Sequence, residues 1–215
     1  VLGIGGNNTM EVKKQIEETD LSAFEAVLSV SPYYNKPNQE GLYQHYKVLA
    51  STSKKIIIYN VPSRTGQNLE ASTTLRLAND LPNLFLIKEA APNILQYFDI
   101  LRQKPSHFNL VSGDDEYTLP VTLAGGIFVI SVIGQAYPKE FSTMVQLAIN
   151  EKIKEAYEIH NKLVEITRAI FAEGNPAGIK FVLAEMGIVK NYLRLPLVTA
   201  SAGLQEKIKT EMNKI

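Results

Sequence analysis

The stretch Leu84-Phe-Leu-Ile-Lys-Glu-Ala90 runs four apolar residues straight into Lys88, after which the chain turns polar. Pro82-Asn83 precede it and Pro92-Asn93 follow it, so the run reads as a short buried strand bounded by turns. A lysine at the end of such a strand sits where apolar walls give way to a loop. Desolvation there disfavours the ammonium and lowers its pKa, which frees the amine as a nucleophile of the Schiff-base kind. The competing reading of this stretch alone is a lysine whose stem packs on the strand while its head reaches water.

Strand-like and helix-like segments alternate on both sides of this lysine. A strand stub and its loop open the chain at 1–9, and further strands are predicted at 25–31, 55–60, 108–112 and 126–132, beside the one at 83–88. Helices are predicted at 10–19 with Thr9 as cap, at 39–51 with Leu42, Tyr46 and Leu49 at helical spacing, and at 69–80 with Leu75 and Ala78 inward. Two more are expected at 93–102 and 115–123. A strand–helix repeat of about 20 to 30 residues is the mark of a parallel sheet, and nearly continuous apolar strands say that both its faces are buried. Tyr34, Tyr59, Lys88 and Asp114 collect at the C-terminal ends of the strands, where a (β/α)8 TIM barrel builds its active site. Gly3-Ile-Gly-Gly-Asn-Asn8 is rich in glycine but lacks the dinucleotide-binding spacing, so it reads as a barrel loop.

Helices at 138–149, 151–172, 179–186 and 202–212 make up the rest. In the second of them Ile153, Ala156, His160, Leu163, Ile166 and Ile170 form one stripe. The expected organisation is a partial barrel over 1–137 and a helical region over 138–215.

Composition narrows the function classes. The 215 residues are 45% hydrophobic and 20% charged, which suits one domain with a sizeable core. Lys plus Arg equals Asp plus Glu at 22 each, which leaves no electrostatic footprint for nucleic acid or an acidic membrane. Cysteine is absent, so disulfide and thiolate chemistry are excluded. No apolar run approaches the roughly 18 residues of a membrane span, and no signal peptide is visible. The expected setting is the cytoplasm. The chain begins at Val1 without an initiator methionine, so its natural start is expected to lie upstream. Asp114 and Asp115 are adjacent with no third ligand at suitable spacing, so no metal site is expected. His45 and His160 read as boundary residues of helices, and His107 as a loop residue.

Two further stretches carry a resemblance. Ile56-Ile-Ile-Tyr-Asn-Val-Pro-Ser-Arg-Thr-Gly66 is a second apolar strand that ends in polar chemistry, and Ser31-Pro-Tyr-Tyr-Asn-Lys-Pro37 is an aromatic loop. With Lys88-Glu-Ala90, Ser112-Gly-Asp-Asp115, the segments 3–11 and 125–132, and Glu173-Gly-Asn-Pro176, they resemble the class I pyruvate aldolase family of the dihydrodipicolinate synthases and N-acetylneuraminate lyases. The Tyr-Asn-Val-Pro-x-Arg-Thr-Gly block is the most specific of these. The resemblance spans nearly the whole chain and aligns its opening stub with the third strand of the barrel. It thus implies strands three to eight of the barrel, with about two βα units, on the order of 60 to 70 residues, not in this sequence.

The resemblance also assigns roles. Lys88 forms an imine with pyruvate, with no metal or organic cofactor, and the imine acts as the electron sink. Tyr59 is the proton donor and acceptor beside it, and Tyr34 reaches into a neighbouring subunit's site, which implies a homotetramer built as a dimer of dimers. Tyr34 relays protons with Tyr59, and the threonine that completes this relay belongs to a Thr-Thr-Gly loop outside this sequence. Arg64 matches the arginine that grips the carboxylate of aspartate semialdehyde, a task suited to a guanidinium fork. Gly113 and the Ile130 carbonyl match positions lining the pyruvate pocket. Asn7, Glu11 and Tyr33 match a cleft where many relatives bind lysine as an inhibitor, although an N-cap asparagine and a first-turn glutamate explain the first two equally well.

The implied reaction is condensation of pyruvate with aspartate semialdehyde, on the route to diaminopimelate and lysine. One rival is a pyruvate-dependent aldolase acting on sugar acids, against which Arg64 argues. The other is a non-catalytic chain that assembles with partners. Ala91-Pro92 replaces the family's usual continuation, with Pro92 expected in the first turn of the next helix, and Gly3-Ile-Gly-Gly replaces the usual Gly-Thr-Gly.

Overall fold

The computed structural model describes residues 1–52 and 54–215. Its strands are β1 (Leu2–Gly3), β2 (Val27–Val30), β3 (Ile56–Asn60), β4 (Leu84–Glu89), β5 (Asn109–Ser112) and β6 (Phe128–Val129). They form one parallel sheet whose spatial order is the chain order, β1 to β6. The helices are α1 (Thr9–Glu18), α2 (Gln39–Ala50), the short α3 (Pro62–Thr65), α4 (Ala71–Asp80), α5 (Ile94–Gln103), α6 (Thr118–Leu123), α7 (Pro138–Ile149), α8 (Ile153–Phe171), α9 (Ala177–Glu185) and α10 (Ala202–Met212). A helix between each pair of parallel neighbours is the repeating unit of the (β/α)8 barrel, here with six strands among the described residues and a helical C-terminal part.

The chain divides into two compact units, Val1–Asp114 with Ala124–Ile130, and Asp115–Leu123 with Ser131–Ile215. The first unit holds the whole sheet and every expected site residue. Both faces of this sheet are buried. Ile56, Ile58, Ile87 and Leu110 are fully covered on one side, and Ala26, Ile57, Leu86 and Val111 pack together on the other. This is why the strands read as continuous apolar runs rather than as alternation.

Several element ends differ from expectation, each because a side chain takes a backbone group. Asn8, not Thr9, caps α1 by accepting from the Met10 N–H, and the Thr9 hydroxyl instead meets His45 Nδ1 at 2.9 Å. That histidine is buried in α2, not at a boundary. The fully buried Leu69 precedes α4, because its N–H donates to Asn60 Oδ1 at 3.0 Å. The inward face of α4 is Thr73, Thr74, Leu77 and Ala78, with Leu75 only half-buried. Asn93 caps α5, which leaves Pro92 ahead of the helix instead of in its first turn. In the second unit, Asp115 does not begin a helix. Its carboxylate accepts from the Val132 and Ile133 N–H groups, which shortens the predicted strand to β6 and delays α6 to Thr118. The inner side of α8 includes Ala156, Leu163, Ile166 and Ile170, whereas Ile153 is exposed and His160 half-buried. Among the described residues no helix is long and apolar enough to cross a membrane.

Candidate active site

Side chains in a strand alternate between faces, so Lys88 shares a face with Leu86 and Tyr59 shares one with Ile57. Register pairs Ile57 with Leu86 and Tyr59 with Lys88. Lys88 therefore stands one same-face step beyond Leu86, at the edge of the apolar cluster of Ala26, Ile57, Leu86 and Val111, with Val111 as its register partner on β5. It is 9% exposed, and its Nζ lies 4.2 Å from the centre of the Tyr59 ring. Burial pushes the Tyr59 phenol upward, and the Arg64 charge pulls it partly back. On the other flank Gly113 closes against the lysine stem. A Cβ there would come within 2.9 Å of Lys88 Cε, so only glycine leaves the amine its room. The Gly113 N–H donates to the Glu89 carbonyl at 2.7 Å, which fixes this approach.

Arg64 is exposed on the short helix α3, which follows β3 after the single residue Val61. Pro62 starts the turn, and Gly66 ends it at φ 73°, a left-handed conformation that glycine adopts without strain. The Lys36 side chain lies over Gly66, so a second cation borders this loop.

Asn60 and Glu89 follow Tyr59 and Lys88 and point to the opposite face of the sheet. Glu89 is fully buried. Its Oε1 accepts from Asn60 Nδ2 and from the Ala91 N–H, each at 2.8 Å, and its Oε2 accepts from Gln96 Nε2 at 2.9 Å. Burial nevertheless raises the carboxyl to about 7, outweighing the hydrogen bonds from Gln96, Ala91, Asn60 and Ala90. The two amides are oriented from behind. Asn60 Oδ1 accepts from the Leu69 N–H at 3.0 Å, and Gln96 Oε1 accepts from Asn68 Nδ2 at 2.8 Å. The motifs that contain Glu89 and Asn60 assign neither of them a role. The available signal was strand alternation, which turns each of them away from its reactive neighbour.

The remaining expected residues spread around the strand ends. Tyr34 is 88% exposed at φ 73°, and Lys36 has φ 45°, so this loop holds two side-chain-bearing residues in the left-handed region. Tyr33 is exposed beside it. Asn35 Nδ2 donates to the Asn7 carbonyl at 2.9 Å, which ties the loop after β1 to the tyrosine loop. Glu11 stands exposed in the first turn of α1. The Ile130 N–H donates to the Ser112 carbonyl at 3.0 Å, placing Ile130 beside Gly113 at the end of β5.

A buried amine between an aromatic ring and a glycine can present its nitrogen to one small electrophile in one direction. An arginine on the next loop can select a carboxylate. Comparison with known proteins agrees with this picture. The dihydrodipicolinate synthetase family matches residues 1–215. The 4-hydroxy-tetrahydrodipicolinate synthase of Flavobacterium psychrophilum is 52% identical over 209 residues, covering 97% of this chain and 71% of that protein. The solved dihydrodipicolinate synthase of Thermotoga maritima superposes with a TM-score of 0.94 at 39% identity, covering 99% of this chain and 73% of the other. That of Cyanidioschyzon merolae, solved with lysine bound, gives 0.92 at 32% identity, covering 99% and 72%. On these matches the chain belongs to the dihydrodipicolinate synthetase family.

Proposed function

We propose that the protein is a lyase that condenses pyruvate with aspartate semialdehyde through an imine on Lys88, towards diaminopimelate and lysine. The observation that carries the residue assignment is the buried Lys88 Nζ, 4.2 Å from the Tyr59 ring and backed by Gly113. In this reading Nζ attacks the keto carbon of pyruvate and water leaves as the imine forms. The imine withdraws electrons, a methyl proton departs, and the resulting enamine carbon attacks the aldehyde. The substrate's own amine then closes on the imine carbon and releases Lys88. The lysine supplies the activation, so the reading calls on no metal or organic cofactor. Tyr59, its phenol kept protonated by burial, moves protons at the lysine nitrogen and the departing oxygen. Arg64 receives the aldehyde's carboxylate, and Gly113 and the Ile130 carbonyl border pyruvate.

Borohydride reduction in the presence of pyruvate tests this assignment. The peptide bearing Lys88 should gain a pyruvyl-derived mass, and an unmodified peptide from folded protein overturns the reading. Turnover of aspartate semialdehyde beside sugar acids separates it from the sugar-acid aldolases.

Two regulatory and assembly features belong to the same reading. The exposure of Tyr34 supports its service to a neighbouring subunit's site in an oligomer; the resemblance makes that oligomer a dimer of dimers. The Asn35–Asn7 hydrogen bond brings Asn7 to the loop of Tyr33, which supports a lysine-binding cleft that also uses Glu11. Lysine titrated into the protein by calorimetry should bind. No heat at millimolar lysine removes the cleft.

A further inference from the structure

We propose that Glu89 is a positioning residue that locks the strand of Lys88 to the loop of Arg64, so that one buried carboxylate sets the distance between the amine and the aldehyde's carboxylate grip. The inference rests on the roles given above to Lys88 and Arg64. Glu89 is joined to Lys88 by one peptide bond, and its register partner Asn60 is joined in the same way to Tyr59. The lock continues outward from this pair. Asn60 Nδ2 donates to Asn68 Oδ1 at 2.9 Å, and Asn60 Oδ1 receives the Leu69 N–H at 3.0 Å. Asn68 and Leu69 form the far end of the loop that begins at Val61 and carries Arg64. Gln96 from α5 closes the ring, donating to Glu89 and to the Leu69 carbonyl at 3.1 Å while accepting from Asn68. The Ala91 N–H ties the turn after Lys88 to the same carboxylate.

The pocket calls for a carboxyl group, both of whose oxygens accept, rather than for an amide. The side-chain and backbone groups that meet Glu89 within hydrogen-bonding distance are N–H donors. The oxygens of the Asn60 and Gln96 amides are already engaged by Leu69 and Asn68, so neither amide can flip to offer an acceptor without losing a bond. A buried network satisfied in this way has one low-energy geometry, and it transmits that geometry to whatever it holds. A carboxylate buried to this depth is expensive to keep. Apolar packing alone would secure the strand, but it would not couple it to the loop.

Kinetics of Glu89→Gln and Asn68→Ala in the whole protein test this. Glu89→Gln keeps the volume and sets an amide N–H against the donors. It should slow borohydride trapping of pyruvate about tenfold and raise KM for aspartate semialdehyde about tenfold, in line with the steep penalty for misplacing reactive groups by fractions of an ångström. Asn68 is half-buried on the loop side of the lock. Asn68→Ala should raise KM for the aldehyde by about fivefold or more, and by a larger factor than KM for pyruvate. Asn68→Ala with a wild-type aldehyde KM overturns the proposal whatever Glu89→Gln does, since the lock runs through Asn68, and this holds if Glu89→Gln fails to fold. So does a Glu89→Gln protein of wild-type KM and trapping rate. Wild-type protein that takes no pyruvyl mass at Lys88 removes the reading beneath the proposal. Wild-type protein that does take it, beside variants with unaltered KM, removes the proposal alone.

Discussion

A methyl group added at Gly113 tests whether Lys88 is held in one place. Its carbon would fall 2.9 Å from Lys88 Cε, 2.9 Å from Ala90 Cβ and 3.1 Å from the Glu89 carbonyl oxygen, where ordinary contact begins near 3.4 Å. Something must give by about half an ångström. The backbone of Gly113 cannot retreat freely, because its N–H is bound to that same carbonyl at 2.7 Å. Ala90 Cβ has no torsion through which to move. The lysine stem is the compliant neighbour, and the push from the β5 side drives it towards β3, where the Tyr59 ring already stands 4.2 Å from Nζ. Overpacking of this kind destabilises by about 1–3 kcal/mol. Displacements on the order of 1 Å cost about 10²-fold in rate, so half of that predicts about tenfold slower imine formation. The assay is the rate of borohydride trapping on Gly113→Ala, followed by mass spectrometry of the Lys88 peptide, with urea unfolding alongside. A variant destabilised as expected that traps pyruvate at the wild-type rate refutes the reasoning, because the methyl would then be accommodated without moving the amine.

Three further outcomes follow from the same geometry. Arg64→Ala should raise KM for aspartate semialdehyde by about 10- to 100-fold while pyruvate is still trapped, since a charged hydrogen bond is worth about 1.5–3 kcal/mol; steady-state kinetics with each substrate varied decides, and an unchanged aldehyde KM rejects the role. Glu89 titrates at about 7 in the folded chain against a reference value of 4.5. The folded state therefore binds this proton more tightly than the unfolded state. Its contribution to stability is full below pH about 4.5, declines as pH rises, and is lost above about 7, amounting to about 3 kcal/mol. Urea melts at about pH 5 and about pH 8 should show that decline, Glu89→Gln should flatten it, and equal slopes in both proteins contradict it. Finally, Tyr34→Phe and Lys88→Ala should each be inactive alone, yet subunits mixed and reassembled should recover about a quarter of wild-type activity if Tyr34 serves its neighbour's lysine across a symmetric interface. No recovery in mixed oligomers confirmed by mass spectrometry removes the shared site.

Much of the fold was legible because a buried parallel strand announces itself as an apolar run, and β4 lies within one residue of its predicted span. Element ends were less legible. Whether Asn8 or Thr9 caps α1, and whether Asp115 opens a helix or holds the Val132 and Ile133 N–H groups, depends on which backbone group a short polar side chain reaches in space. The pairing of Tyr59 with Lys88 was beyond local pattern altogether, since two strands separated by a helix carry no mark of their register. Family resemblance, not spacing, brought those residues together. No periodicity signals a tyrosine at φ 73° either, because that conformation belongs to a three-residue turn closed by the Asn35 N–H on the Tyr33 carbonyl at 2.9 Å.

The most instructive gap is Glu89. After Lys88 the sequence turns polar, so Glu89 reads as the first residue of a loop rather than as the last of a buried strand. The strand instead stays buried to its last residue, Lys88 on the side of the apolar cluster and Glu89 on the side of the helices. In a sheet covered on both faces, alternation leaves no solvent side on which to put a charge. Each polar residue at a strand end must then be reactive, or bonded on every available atom, or both. The amine answers the first description and the carboxylate the second. A dipeptide of two charges closing an apolar run, followed by a turn rather than a charged helix, is therefore a sign of chemistry on one face and its support on the other.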